Sequence, residues 1–331
     1  MAAANSDEIL HDFFPLLRHY KDGRVERLLG NGFVPPSLDP VTGVQSKDVE
    51  ISPQINLSAR LYLPKNASPA AKLPLLLYFH GGGFVIESAF SELYQNHLNH
   101  LVAEANVVAV SLNYRLAPEH PLPIAFEDSW QALEWIAAQF TEEGQDQEEW
   151  IKDHADMNRV YLGGDSAGGT LTHHVALRAG IDRDKLKAAG DNYGITLRGA
   201  FLNCPFFWGE VSLGDHEVTH PLFPKSFLDA LWNYASPNSS KGCDDPLINP
   251  GTDPRIASLG CKRVLVYVAE TDVLRGRGLH YKEILEKNGW DGEIEVVDVE
   301  GEVHVFSVFA PTSDNGLAMI KKVASFINKD E

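Results

Sequence analysis

The chain has 331 residues, 44% of them apolar and 22% charged, and its 28 basic and 46 acidic side chains give a formal charge of −18. This is the composition of a globular chain with room for a large core, and the acidic excess argues against nucleic acid or an anionic membrane as a partner, since both need a cationic face. No apolar run is long enough to span a bilayer, and the start MAAANSDEILHDFF lacks the basic region and apolar run of a secretory signal.

Cys204, Cys243 and Cys261 are sparse, odd in number and form no C-x-x-C pair, so they read as free thiols of a reducing compartment. Matches to N-x-[ST] at Asn56, Asn66 and Asn238 are then expected to be chance. The expected location is cytoplasmic.

Along the chain, the first forty or so residues fit no regular alternation. Apolar, β-rich runs follow at 59–64, 73–79, 106–112, 159–162, 200–203, 263–269 and 294–298. Between them lie helical spacings at 94–103, 124–140, 170–178, 227–234, 276–287 and 317–327; in the second, Phe126, Trp130, Leu133 and Ile136 share one side. Nearly continuous apolar strands alternating with helices predict a mostly parallel sheet covered on both faces, with chemistry at the carboxyl ends of its strands. The stretch 205–250, rich in aromatic residues, proline and serine, also falls outside the alternation. It and the first forty residues are expected to form a cap over the active edge of the sheet, with ordinary peripheral packing an equal alternative for the N-terminal piece.

The run 159–162 leads directly into Gly163-Gly-Asp-Ser-Ala-Gly-Gly169 and then into a helical pattern. A serine in G-x-S-x-G between strand and helix sits on a sharp turn that lifts its hydroxyl above the sheet. Ser166 is therefore the candidate nucleophile, and the N–H of Ala167 falls at a helix N-terminus. His80-Gly81-Gly82-Gly83-Phe84 follows the strand ending at Phe79 and exposes backbone N–H groups with no side chain in the way. Gly82 and Gly83, with Ala167, are the expected oxyanion donors; Gly81 is a further candidate, and His80 and Asp165 support the two motifs.

A serine hydroxyl needs a base to take its proton, and the expected chain order is Ser, then Asp or Glu, then His. Of 13 histidines, His304 in Gly301-Glu-Val-His-Val-Phe306 lies just past a strand and before the last helix. His173 and His174 sit on the helix after the nucleophile and His280 lies within another, so these read as structural. Asp272 in Ala269-Glu-Thr-Asp-Val273 follows a strand and is preferred as the acid over Glu270, which lies closer to that strand.

A competing motif, His216-Glu-Val-Thr-His220, has the H-E-x-x-H form of a zinc-binding helix. Pro221 follows it and pushes His220 away from helical geometry, and no third ligand stands nearby. No metal and no cofactor are expected.

His80-Gly-Gly-Gly-Phe84, Tyr114-Arg-Leu-Ala-Pro-Glu-His-Pro-Leu-Pro123, Gly164-Asp-Ser-Ala-Gly168 and Asp244-Asp-Pro-Leu-Ile-Asn-Pro250 occur in that order. With them the chain resembles, over nearly its full length, the plant carboxylesterases of the hormone-sensitive-lipase group within the α/β-hydrolase fold. Tyr20-Lys-Asp-Gly-Arg-Val-Glu-Arg27 is similar to the plant branch of that group. The resemblance implies one α/β-hydrolase domain over 1–331, a mostly parallel sheet flanked by helices, under a helical cap built from about 1–40 and about 205–250.

It also implies a serine carboxylesterase acting on small to medium esters through Ser166, Asp272 and His304. The expected partner is a small-molecule ester or specialised metabolite, and the expected form a monomer or weak dimer. Hydroxyisoflavanone dehydratases and certain alkaloid cyclases are relatives that use the same pocket for elimination or rearrangement, and gibberellin receptors lack the catalytic histidine. Ser166, Gly81 to Gly83 and His304 are all present here, which favours hydrolysis.

Overall fold

Continuous apolar runs become the central strands. The computed structural model describes residues 7–140, 147–182 and 194–329. Its strands are β1 Ile9–Phe13, β2 Leu17–Tyr20, β3 Val25–Arg27, β4 Gln45–Ser52, β5 Leu57–Leu63, β6 Leu73–Phe79, β7 Val108–Asn113, β8 Ala155–Asp165, β9 Leu197–Asn203, β10 Arg263–Ala269 and β11 Glu293–Val299. Eight of them form one sheet in the order β11-β10-β9-β8-β6-β7-β5-β4. Pairing is parallel from β11 through to β7, and antiparallel where β5 joins β7 and β4 joins β5.

All seven residues of β6 are buried, as expected of a strand covered on both sides. Its side chains alternate between two layers. Leu75, Leu77 and Phe79 pack in one core with residues of the helices Ile124–Ala138 and Ala167–Ile181. Leu76 and Tyr78 pack in the other with residues of the helices Glu92–Ala105 and Asp314–Ile327. The strand β4 was not anticipated, because its sequence QSKDVEIS is polar and half exposed at the edge of the sheet.

The expectation of a wholly helical cap is corrected. The N-terminal region folds as a three-stranded antiparallel sheet, β1-β2-β3. Pro15 interrupts the apolar run, and Phe13, Leu17 and Tyr20 turn inward from the ends of β1 and β2. Phe13 packs edge-to-face on Phe227 and tilted against Tyr234 of the helix Lys225–Ala235, with ring centroids 5.9 and 4.8 Å away. Arg27 fixes the ribbon to the main body by donating to the Val85 carbonyl at 2.7 Å and to Glu119 at 2.8 and 2.7 Å.

The segment 205–250 is held by a second ion pair. Arg277 donates to Glu217 through Nε at 2.7 Å and Nη2 at 2.9 Å, and Nη2 also reaches the Val211 carbonyl at 2.7 Å. The guanidinium lies 5.0 Å over the Trp208 ring. All three cysteines are buried and unpaired, and among the described residues no helix is long and apolar enough to cross a membrane.

The two side chains of the 217–277 pair are only 4% and 6% exposed, so removing one partner strands a buried charge. Arg277→Met should lower unfolding free energy by about 3–5 kcal/mol, and adding Glu217→Leu should recover much of the loss. Urea denaturation of the single and double variants measures both.

Candidate active site

Strand β8 ends at Asp165 and a helix begins at Ala167, so Ser166 alone turns the chain. Its φ of +51° and ψ of −118° are strained for a residue with a side chain. The helix crosses so close to β6 that a Cβ on Gly168 would lie 1.9 Å from the Phe79 carbonyl oxygen; only glycine permits that approach.

The structure brings the three chemically matched side chains together. Ser166 Oγ lies 3.0 Å from His304 Nε2, and His304 Nδ1 lies 2.7 Å from Asp272 Oδ2. The other Asp272 oxygen accepts from the Leu274 N–H at 3.0 Å, which fixes the carboxylate plane. Asp272 is buried and His304 about one-third exposed at the cavity wall. Burial pushes the His304 pKa down, but the charge of Asp272 and its hydrogen bond outweigh burial and hold it above the ordinary 6.5. Glu270, the competing acid, instead accepts from the Gly301 N–H at 2.8 Å on the surface.

The glycine loop after β6 turns back on itself, with the N–H groups of Val85 and Ile86 both donating to the Gly82 carbonyl at 3.0 Å. Gly82 has φ of +103°, and a Cβ there would meet the Ile86 carbonyl oxygen at 2.3 Å. Among the described residues no acceptor takes the N–H of Gly82 or Gly83, and the N–H of Ala167 is at the open N-terminus of its helix.

Gly81 is corrected as a candidate oxyanion donor. Its N–H donates to the Tyr94 hydroxyl at 2.7 Å. That hydroxyl in turn donates to Asp165 Oδ2 at 2.8 Å, and Tyr78 donates to Asp165 Oδ1 at 2.8 Å. Tyr94 and Asp165 therefore lock the glycine loop to the serine turn, a link with no signal in local sequence.

His80 stacks on Tyr114 at 4.2 Å and bonds the Gly81 carbonyl through Nδ1 at 2.8 Å. Burial lowers its pKa to about 4, so it is a neutral pin for the loop. His173 and His174 are likewise structural, bonded to the Tyr281 hydroxyl at 2.9 Å and the Pro246 carbonyl at 3.1 Å. His280 lies on the surface beside Glu283.

The HEVTH stretch forms only a short helix, Asp215–Thr219, and His220 lies beyond its end. Glu217 is committed to Arg277. His220 Nδ1 accepts from the Phe223 N–H at 3.0 Å, and its ring lines the cavity. That placement was missed in the sequence because Pro221 marked the break in the helix without revealing where the ring would point.

Ligating atoms of Cys204, Asp272 and His304 lie within 4.8 Å of one another. Burial pushes the Cys204 thiol well up, keeping it protonated, and both imidazole nitrogens are already directed to Asp272 and Ser166.

A cavity of about 460 Å³ opens over Ser166 and His304. Its walls come from β1-β2 and the loop after β3 (Leu16, Leu29), from the 205–250 segment (Phe223, Phe227, Leu231) and from residues flanking His304.

A family model described as alpha/beta hydrolase fold matches residues 76–308. The chain belongs to this α/β-hydrolase family. It is 47% identical to probable carboxylesterase 7 of Arabidopsis thaliana over 97% of this chain and 99% of that protein. It is 43% identical to a 2-hydroxyisoflavanone dehydratase of Glycyrrhiza echinata over 98% of each. A solved hyperthermophilic esterase from the archaeon Pyrobaculum calidifontis superposes with a TM-score of 0.70 at 26% identity, covering 86% of this chain and 85% of that one. This α/β hydrolase is thus carboxylesterase-like in sequence and in fold.

Burial raises the Asp165 carboxyl from the ordinary 3.8 to about 6, against the pull of its two tyrosine hydrogen bonds. The folded state therefore binds its proton more tightly than the unfolded state. Its contribution to stability is complete below pH of about 4 and is lost as pH rises through about 6. The stability of wild type relative to Asp165→Asn should fall across that window, as read from melting temperatures of both proteins at matched pH.

Proposed function

We propose that this α/β hydrolase is a serine carboxylesterase acting on esters of small or medium size. The observation that carries the reading is the alignment of Ser166, His304 and Asp272 in one cavity with Gly82 and Gly83, whose N–H groups, like that of the adjacent Ala167, no acceptor takes among the described residues. His304 Nε2 takes the Ser166 proton as Oγ attacks the ester carbonyl. The carbonyl electrons move to oxygen, where the N–H groups of Gly82, Gly83 and Ala167 receive the charge; one such donor typically supplies about 3–4 kcal/mol.

Collapse of this intermediate expels the alkoxide, which takes the proton from His304 and leaves an acyl group on Ser166. Water, deprotonated by His304, then attacks the acyl carbon and frees the acid. Asp272 holds the imidazole with Nδ1–H toward itself, leaving Nε2 as the base. The cap segments, about 7–40 and 205–250, shelter the acyl and alcohol groups, and the cavity volume suits a substrate of modest size.

The 43% identity to a 2-hydroxyisoflavanone dehydratase supports a second reading. In it, His304 removes a proton beside a carbonyl and the same N–H groups hold the enolate while a β-hydroxyl leaves. Incubation with a β-hydroxy ketone and product analysis separates the two: water loss without ester hydrolysis would replace the esterase reading.

With 4-nitrophenyl acetate, butyrate and octanoate, Ser166→Ala should abolish turnover. Asp272→Asn should lower kcat by about 10⁴-fold through loss of the correct tautomer. Neutral His304 is the active base, so kcat/KM should rise with pH through a midpoint above the ordinary histidine value of 6.5. Turnover that survives in Ser166→Ala would overturn the mechanism.

A further inference from the structure

The cavity walls are mostly aliphatic and aromatic, with three acidic residues among them; Asp165 and Asp272 are held by the hydrogen bonds described above, and the third is Glu87. Glu87 lies at the end of the glycine loop and lines the same cavity as Ser166. Among the described residues it makes no ion pair, and its Oε2 has no hydrogen-bond partner. The Ser91 hydroxyl and Ser88 backbone lie close enough to favour its charged form. Oε2 nonetheless stays without a partner, as does the buried Ser91 Oγ. Buried carboxylates are ordinarily paired.

Two backbone observations show that the position is built rather than incidental. Glu87 has φ of +72°, in the left-handed region that glycine or asparagine would occupy with less strain. The N-terminal segment closes directly over it: a Cβ on Gly30 would meet the Glu87 nitrogen at 2.5 Å and its carboxyl carbon at 2.9 Å. The chain thus places a strained, side-chain-bearing residue under the cap at the rim of the oxyanion loop.

The unmet group decides the chemistry of what it would bind. Burial raises the Glu87 pKa, and one kind of partner suits both the carboxylate and the carboxylic acid. A hydroxyl donates to the first and accepts from the second. An ammonium suits only the charged form, and a carbonyl only the neutral one.

Resting on the esterase reading above, we propose that Glu87 is a substrate-binding residue. Its carboxyl engages a hydroxyl carried by the substrate away from the reacting carbonyl. The preferred substrates are therefore hydroxylated esters whose remaining surface is apolar.

The test compares 4-nitrophenyl phenylacetate with its 3- and 4-hydroxyphenyl analogues, and phenyl acetate with 3- and 4-hydroxyphenyl acetate. This places the hydroxyl on the acyl or the alcohol side. The readout is the kcat/KM ratio of each hydroxylated ester to its parent, in wild type, Glu87→Gln and Glu87→Met. For at least one pair the ratio should drop about ten-fold or more in Glu87→Met, and less in the nearly isosteric Glu87→Gln, whose amide still accepts a hydrogen bond. Ratios equal in wild type and both variants for every pair would overturn the proposal. Ser166-dependent hydrolysis of the parent esters would in that case leave the esterase reading standing. If wild type hydrolyses none of the esters, the esterase reading fails by itself. Calorimetric Kd values for phenylacetamide and its 3- and 4-hydroxyphenyl analogues then decide Glu87: a hydroxyl preference lost in Glu87→Met supports its role, and no preference or a retained one overturns it.

Discussion

The site depends on how closely one helix can approach one strand. The helix Ala167–Ile181 starts directly off β8 and passes over the end of β6 with no room for a side chain on Gly168. This contact makes Ser166 turn within one residue and accept φ of +51°. A looser crossing would need a longer connection, and the hydroxyl would no longer stand above the sheet with the Ala167 N–H beside it. The strain is held by the rigidity on either side, a buried strand and a buried helix.

The second half of the site is bound to that turn by polar contacts. Asp165, next to the nucleophile, accepts from Tyr78 on β6 and from Tyr94 on the helix Glu92–Ala105, and Tyr94 accepts from Gly81. The loop that presents Gly82 and Gly83 is therefore positioned, through Tyr94, by Asp165, the residue that precedes Ser166. Oxyanion stabilisation requires donors placed before charge develops, and a buried, fully engaged network of this kind supplies that rigidity.

The cap is attached by charge and filled by apolar side chains. Arg27 to Glu119 and Glu217 to Arg277 fasten its two halves to the main body. Leu16, Phe223, Phe227 and Leu231 then form the cavity walls. The HEVTH stretch takes its meaning from this attachment: Glu217 anchors the segment, and His220 faces the cavity as a consequence.

Much of the framework was legible in the sequence because its signals are local. Apolar runs marked the central strands, since a strand covered on both faces has no polar side to show. G-x-S-x-G marked a strand–turn–helix, and chain order singled out Asp272 and His304 for roles that hydrogen-bond geometry now makes possible. The polar edge strand β4 and the N-terminal ribbon were not legible, because half-exposed strands lack a continuous apolar pattern and are stabilised by what they pack against. Only the tertiary structure decided that Tyr94 claims the Gly81 N–H, that Glu217 pairs with Arg277, and that Glu87 faces the cavity beneath Gly30. These are contacts between residues 13, 60 and 57 positions apart. No local periodicity encodes them; they follow from which loops the sheet gathers at the carboxyl ends of its strands.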